Sequence, residues 1–206
     1  MINDILDGLD KMFENPKCEL TYQNAFELTI AVLLSAQTSD MAVNKVTKEL
    51  FNKYPDCYSL ANANLKDVES IIKTIGLYHN KAKNIIALSK ILVDKYSGKV
   101  PMDRHSLESL PGIGRKSTNV ILTEIFNIPA IAVDTHVART SKRLNLAKEN
   151  DDVLAVEKKL MRKIPKERWG LFHHQMVHFG RYICKSRNPR CDVCLLTKCC
   201  KVVKKG

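Results

Sequence analysis

Seven cysteines are spread unevenly along the chain: Cys18 and Cys57 stand alone, while Cys184, Cys191, Cys194, Cys199 and Cys200 crowd its end. The spacing Cys184-x6-Cys191-x2-Cys194-x5-Cys200 puts four thiols within 17 residues. Such a loop can wrap one tetrahedral zinc ion or one iron–sulfur cluster, and spacing does not choose between them. Cys199 competes for the fourth position, because Cys194-x4-Cys199 also reaches. An odd total with this clustering argues against a disulfide framework and for a metal site. Lys185, Arg187 and Arg190 lie between the first two cysteines, so a metal would hold a basic loop in one shape, suited to phosphate contact. The same charges also suit a solvated face. His173, His174 and His178 lie just upstream, at a spacing that does not share one helical face for a metal.

A second group with chemical potential is Leu110-Pro-Gly-Ile-Gly-Arg-Lys116. Gly112 and Gly114 flank one aliphatic residue and allow close approach of backbone to a partner. The N–H groups that open the following helix are unpaired and carry partial positive charge, a combination that binds phosphate without reading sequence. A bare Gly-x-Gly also fits an ordinary corner between helices. Arg115 and Lys116 tip the balance, since cations in a first helical turn oppose the helix dipole by roughly 0.3–1 kcal/mol each. Arg115 fits a phosphate ligand; Lys116 fits either a second one or a reactive amine. Asp134, in Val133-Asp134-Thr135-His136, serves equally as a helix N-cap or as a carboxylate facing Lys116.

The elements that must position these groups are helical. Ile2, Ile5, Leu6, Leu9, Met12 and Phe13 form one apolar stripe at helical spacing. Residues 25–36 are apolar nearly all round and predict a buried central helix. Further helices are predicted over 40–54, stopped by Pro55, over 65–74 and 80–96, ended by Gly76 and Gly98, and over 106–110, 117–126, 135–144 and 152–164. An apolar run over 128–133 precedes Asp134. There is no internal repeat, low-complexity tract or long linker. The fold class is all-α.

Composition narrows the function. The 206 residues include 33 Lys+Arg against 22 Asp+Glu, a net charge of +11 that calls for an acidic partner, nucleic acid first among them. The 8 glycines and 7 prolines are too few for a barrel or sandwich rich in tight turns. No apolar run is long enough to span a membrane, and the acidic N-terminus lacks the features of a signal peptide. The expectation is a soluble cytoplasmic chain.

Taken together, Leu34-Ser-Ala-Gln-Thr-Ser-Asp40, Thr74-Ile-Gly-Leu-Tyr78, Leu110–Lys116, Val133–His136, Gly180-Arg-Tyr182 and the four-cysteine spacing resemble the endonuclease III family of DNA glycosylases. They occur in family order along nearly the whole chain. The resemblance implies two helical lobes with a DNA cleft between them. One is a six-helix barrel over about 19–128, containing a helix-hairpin-helix at 106–126. The other is an iron–sulfur lobe formed by 1–18 and 129–206. It implies base excision with lyase cleavage of double-stranded DNA that carries damaged bases, oxidised pyrimidines above all, or abasic sites. Lys116 then matches the nucleophile and Asp134 the essential carboxylate. Cys184, Cys191, Cys194 and Cys200 match the ligands of a [4Fe-4S] cluster, with Cys199 outside that set. Gln37 and Leu77 match residues that enter the duplex, and Gly112, Gly114, Arg115 and His136 join Lys185, Arg187 and Arg190 as DNA contacts. A monomer is expected. A glycosylase of the same superfamily that excises adenine or a mismatched base without cutting is the nearest alternative, and its adenine-specific members usually lack the lysine. A DNA-binding protein without catalysis is the other.

Overall fold

The computed structural model describes residues 1–203, and among these there are eleven α-helices and no strand. In chain order they are α1 (Ile2–Met12), α2 (Ala25–Leu34), α3 (Asp40–Lys53), α4 (Cys57–Ala61), α5 (Leu65–Ile72), α6 (Tyr78–Tyr96), α7 (Arg104–Glu108), α8 (Arg115–Phe126), α9 (Thr135–Arg143), α10 (Val153–Lys163) and α11 (Trp169–His178). The chain divides into two compact units. One runs without interruption from Cys18 to Phe126; the other joins Met1–Lys17 to the residues from Asn127 onward. The last residues of the expected second lobe, 204–206, lie outside those described.

The uninterrupted unit is built around α2. Asn24 starts this helix by accepting from the Glu27 N–H (2.9 Å), and the Glu27 carboxylate accepts from the Gln23 N–H (2.7 Å). Two orphan donors are thereby satisfied at its N-terminus. Every residue from Phe26 to Leu34 is buried, as the all-round apolar pattern requires. Leu28, Ile30 and Leu34 have no exposed surface, and each such burial is worth roughly 1.5–3 kcal/mol. Helices α3, α6 and α8 pack on α2, while α4 and α5 pack on α6. Ser97, left-handed at φ 51°, ends α6, and the Gly98 N–H closes on the Leu92 carbonyl (2.8 Å).

The discontinuous unit has its own core, in which Ile5 and Leu9 of α1 meet Val137 of α9, Val156 and Leu160 of α10, and Phe172 and Met176 of α11. Residues 128–133, read as an apolar run, belong to no helix or strand, and Ala130–Val133 are buried. Helix α11 runs into a π-helical turn over Phe179–Ile183, and the Cys184 N–H closes it on the Phe179 carbonyl (2.7 Å). Among the described residues no helix is long and apolar enough to cross a membrane.

Two helices go beyond what periodicity predicts. Helix α4 has five residues and is held by a capping box between Asp56 and Ser59. Helix α11 buries His173 and Gln175 beside Phe172 and Met176, so its inward face is not an apolar stripe. The helix expected over 106–110 starts earlier, at Arg104, because the Asp103 carboxylate accepts from the Ser106 N–H (2.9 Å) and caps it there.

Helix α1 touches the cysteine-rich segment at Gly8, where an added Cβ would stand 2.4 Å from Cδ2 of Leu196, itself fully buried. In Gly8→Ala this overpacking, about 1–3 kcal/mol, outweighs the roughly 1 kcal/mol gained in helix propensity. The expected outcome is a lower urea midpoint with an unchanged m-value. An equal or higher midpoint would show that Leu196 repacks freely.

Candidate active site and cysteine loop

In the uninterrupted unit, α7 and α8 form the expected hairpin. The turn between them is held by the Ile113 N–H donating to the Leu110 carbonyl (3.1 Å), with Ile113 buried. Gly112 has φ +78°, and a Cβ there would meet Cδ1 of Leu33 at 2.9 Å and Nδ2 of Asn84 at 3.1 Å. Both the conformation and the space demand glycine. Gly114 differs, since nothing lies within 4 Å of where its Cβ would be. The Arg104 guanidinium locks the two helices together, donating to Oδ1 of buried Asn119 (2.6 Å) and to the Glu108 carboxylate (2.9 Å). Arg115 and Lys116 occupy the first two positions of α8, and both side chains are exposed. The N–H groups of this first turn begin the helix, so the turn presents donors, dipole and two cations together.

Two other turns of this unit have unusual backbones. Gln37, between α2 and α3, has φ 55°, and Leu77, which caps α6, has φ 59°. Left-handed conformations cost a residue with a side chain about 1–2 kcal/mol. Both side chains are exposed, Leu77 at 57%, which is a poor use of a leucine in a monomer's fold alone. Left-handed backbone and exposure together make both turns candidates for a functional role.

In the discontinuous unit, Asp134 is the N-cap of α9, its Oδ1 accepting from the Val137 N–H (2.8 Å). The capping role is therefore present, and it fixes the carboxylate through Oδ1. Further along the same helix, Arg139 donates to the carbonyls of Gly180 (2.8 Å) and Cys184 (3.1 Å) and approaches Nδ1 of His136 (3.3 Å). One turn on, Arg143 donates to Sγ of Cys184 (3.3 Å) and to the carbonyls of Lys185 (2.7 Å) and Ser186 (3.2 Å). Neither arginine is singled out by sequence spacing, because their partners lie more than forty residues away. Lys185, Arg187 and Arg190 are exposed on the loop so tethered.

Cys184, Cys191, Cys194 and Cys200 line one small pocket, together with Leu144, Phe179 and Ile183. Cys199 is absent from that lining and packs, half-buried, against the apolar core. Burial pushes the Cys194 thiol up, and negative charge on Cys184, Cys191 and Cys200 would push it further. Among the described residues, no three His, Cys, Asp or Glu side chains converge closely enough to hold a single metal ion. The four thiols stand around a volume instead.

Residues 30–166 match the family model described as HhH-GPD superfamily base excision DNA repair protein. Endonuclease III of Bacillus subtilis (strain 168) is 52% identical over 196 residues, covering 95% of this chain and 90% of that protein. The chain belongs to the endonuclease III family. It is a base-excision DNA glycosylase/lyase that acts on DNA. Endonuclease III of Escherichia coli (strain K12) is 42% identical over 202 residues, 98% of this chain and 95% of that protein. Among solved structures, a trapped endonuclease III–DNA covalent intermediate superposes with a TM-score of 0.95 at 51% identity, over 100% of this chain and 98% of that one.

The two hairpin glycines separate folding from DNA contact. Gly112→Ala should lose stability, by about 1–2 kcal/mol for the left-handed backbone alone, and DNA affinity with it. Gly114→Ala should keep its melting temperature within a degree or two, since its Cβ meets nothing, and still bind duplex more weakly if this open turn is a DNA contact. Thermal melts and titration with a fluorescent duplex test both; an unaltered Kd in Gly114→Ala would take this turn out of the contact set.

Proposed function

We propose that Lys116 is the nucleophile of the glycosylase/lyase reaction and Asp134 its essential carboxylate, and that the preferred substrates are oxidised pyrimidines and abasic sites in duplex DNA. The observation that carries the reading is the exposed Lys116 amine in the first turn of α8, directly after the turn of Gly112 and the open Gly114. The trapped covalent complex of the endonuclease III relative supports a covalent bond between enzyme and DNA.

The chemistry follows from what each group can do. A damaged nucleotide must leave the stack before its C1′ can be attacked, at a cost of a few kcal/mol. Gln37 and Leu77, exposed on strained turns, fill the space it leaves. The neutral Lys116 amine attacks C1′, and the bond to the base breaks with its electrons leaving on the base, which takes up a proton. The sugar ring opens to a Schiff base. Loss of a C2′ proton then expels the 3′ phosphate and cuts the strand. Asp134, held by the Val137 N–H, offers fixed negative charge to the cationic sugar in the transition state. Gly112, Gly114, Arg115 and His136 serve as DNA contacts, as do Lys185, Arg187 and Arg190.

We further infer a [4Fe-4S] cluster held by Cys184, Cys191, Cys194 and Cys200. Four thiols around a common volume fit the donor set of such a cluster, and its positive irons would relieve the repulsion among four thiolates. When bound it supplies structural organisation, holding the loop that Arg143 also tethers. Thiols that must stay reduced suit a cytoplasmic location, and each unit closes its core within one chain, in keeping with a monomer.

Borohydride trapping on abasic duplex should give a covalent adduct with wild-type protein and none with Lys116→Ala; equal, negligible trapping by both would sink the nucleophile assignment. Asp134→Asn retains an N-cap, so it should melt within a degree or two of wild type while losing about 10²–10³ in turnover. The purified protein should be brown, with stoichiometric iron and sulfide. Cys200→Ser should lose that absorption and Cys199→Ser should keep it; the opposite pattern would exchange the two residues' roles.

A further inference from the structure

Lys81 lies one turn into α6, and only 4% of it is exposed. Its N–H donates to the Leu77 carbonyl (3.0 Å), and its Nζ donates to Oγ1 of Thr38 (2.8 Å). Thr38 Oγ1 in turn donates to the Ala36 carbonyl (3.3 Å). The chain of hydrogen bonds thus runs from the helix that Leu77 caps to the residues on both sides of Gln37. Among the described residues, Thr38 Oγ1 is the hydrogen-bond partner of this amine, and burial rather than a paired carboxylate sets its electrostatics.

Packing does not account for a lysine here. A methionine or leucine would fill similar space without the cost of burying an amine, whose pKa burial lowers. What the amine adds is a directed bond between two strained turns. Gln37 and Leu77 both hold left-handed backbones that isolated turns would abandon, and both belong to the same compact unit. We propose that Lys81 is a positioning residue for duplex insertion: through Thr38 it holds the turn that presents Gln37 in register with the one that presents Leu77. This inference rests on the insertion of those two side chains, and it assigns Lys81 no contact with DNA.

The test uses Lys81→Met and Thr38→Val, both near-isosteric, and the double variant. Two readouts are needed: fluorescence of 2-aminopurine beside the lesion, which reports unstacking, and the single-turnover rate on a paired duplex. Each single variant should lose about tenfold in rate with a matching loss of fluorescence, the scale of one hydrogen bond that involves an amine. The double variant should be no worse than either single one, because both remove the same bond. Thr38→Ser, which keeps the hydroxyl, should retain both signals. Cleavage of an abasic site in single-stranded DNA needs no insertion, so it should stay within about twofold of wild type. Additive losses, no loss on the duplex, or an equal loss on single-stranded DNA would overturn the proposal. Gln37→Ala and Leu77→Ala serve as controls: if they too leave fluorescence unchanged, insertion itself is wrong; if they abolish it while Lys81→Met does not, the failure belongs to Lys81 alone.

Discussion

The turn between α7 and α8 is open to solvent at Gly114 and yet held still, and the close approach of Gly112 to Leu33 is what holds it. The glycine presses on a buried residue of α2, so the hairpin rests directly on the unit's core and cannot drift from it. Asn84 of α6 closes the other side of the same contact. Helix α6 therefore serves three places: Leu77 at its cap, Lys81 one turn in, and Asn84 against the hairpin. Rigidity of this kind is what covalent chemistry on a sugar requires, since small errors in the position of an attacking atom cost large factors in rate.

The discontinuous unit solves a similar problem with charge. Arg139 and Arg143 project from α9 and spend their donors mainly on backbone carbonyls around Cys184. A planar guanidinium with five donors suits that work better than lysine. The consequence is that Asp134, at the start of α9, and the cysteine loop are parts of one hydrogen-bonded assembly. Part of the chain's excess positive charge is thus engaged with its own backbone.

Much of this architecture was readable in the residues, for identifiable reasons. The all-round apolar pattern of α2 and the Gly-Ile-Gly-Arg-Lys segment each carry a local signal, because burial and turn chemistry are written in neighbouring residues. Helix α4 is too short for a period to register, and α11 hides behind its buried His173 and Gln175. Arg139, Arg143, Lys81 and the Arg104–Asn119 pair act across long stretches of chain, and composition says nothing about such partners. Gln37 and Leu77 stand out only through family resemblance, since a left-handed backbone at a residue other than glycine leaves no trace in its type. For Asp134, sequence offered two roles, and the structure supplies the cap while spacing alone could not.

The division of the chain also imposes an order on its making. Residues 18–126 form one unit from a continuous stretch, so that unit can close as soon as it leaves the ribosome. Helix α1 is synthesised first but packs on α11 and Leu196. At ordinary rates of synthesis it waits roughly ten to forty seconds for them. An eleven-residue amphipathic helix is marginal on its own, and its face of Ile5, Leu6 and Leu9 is not fully covered until then. The unit that carries Asp134 is therefore completed only when translation has passed the cysteines.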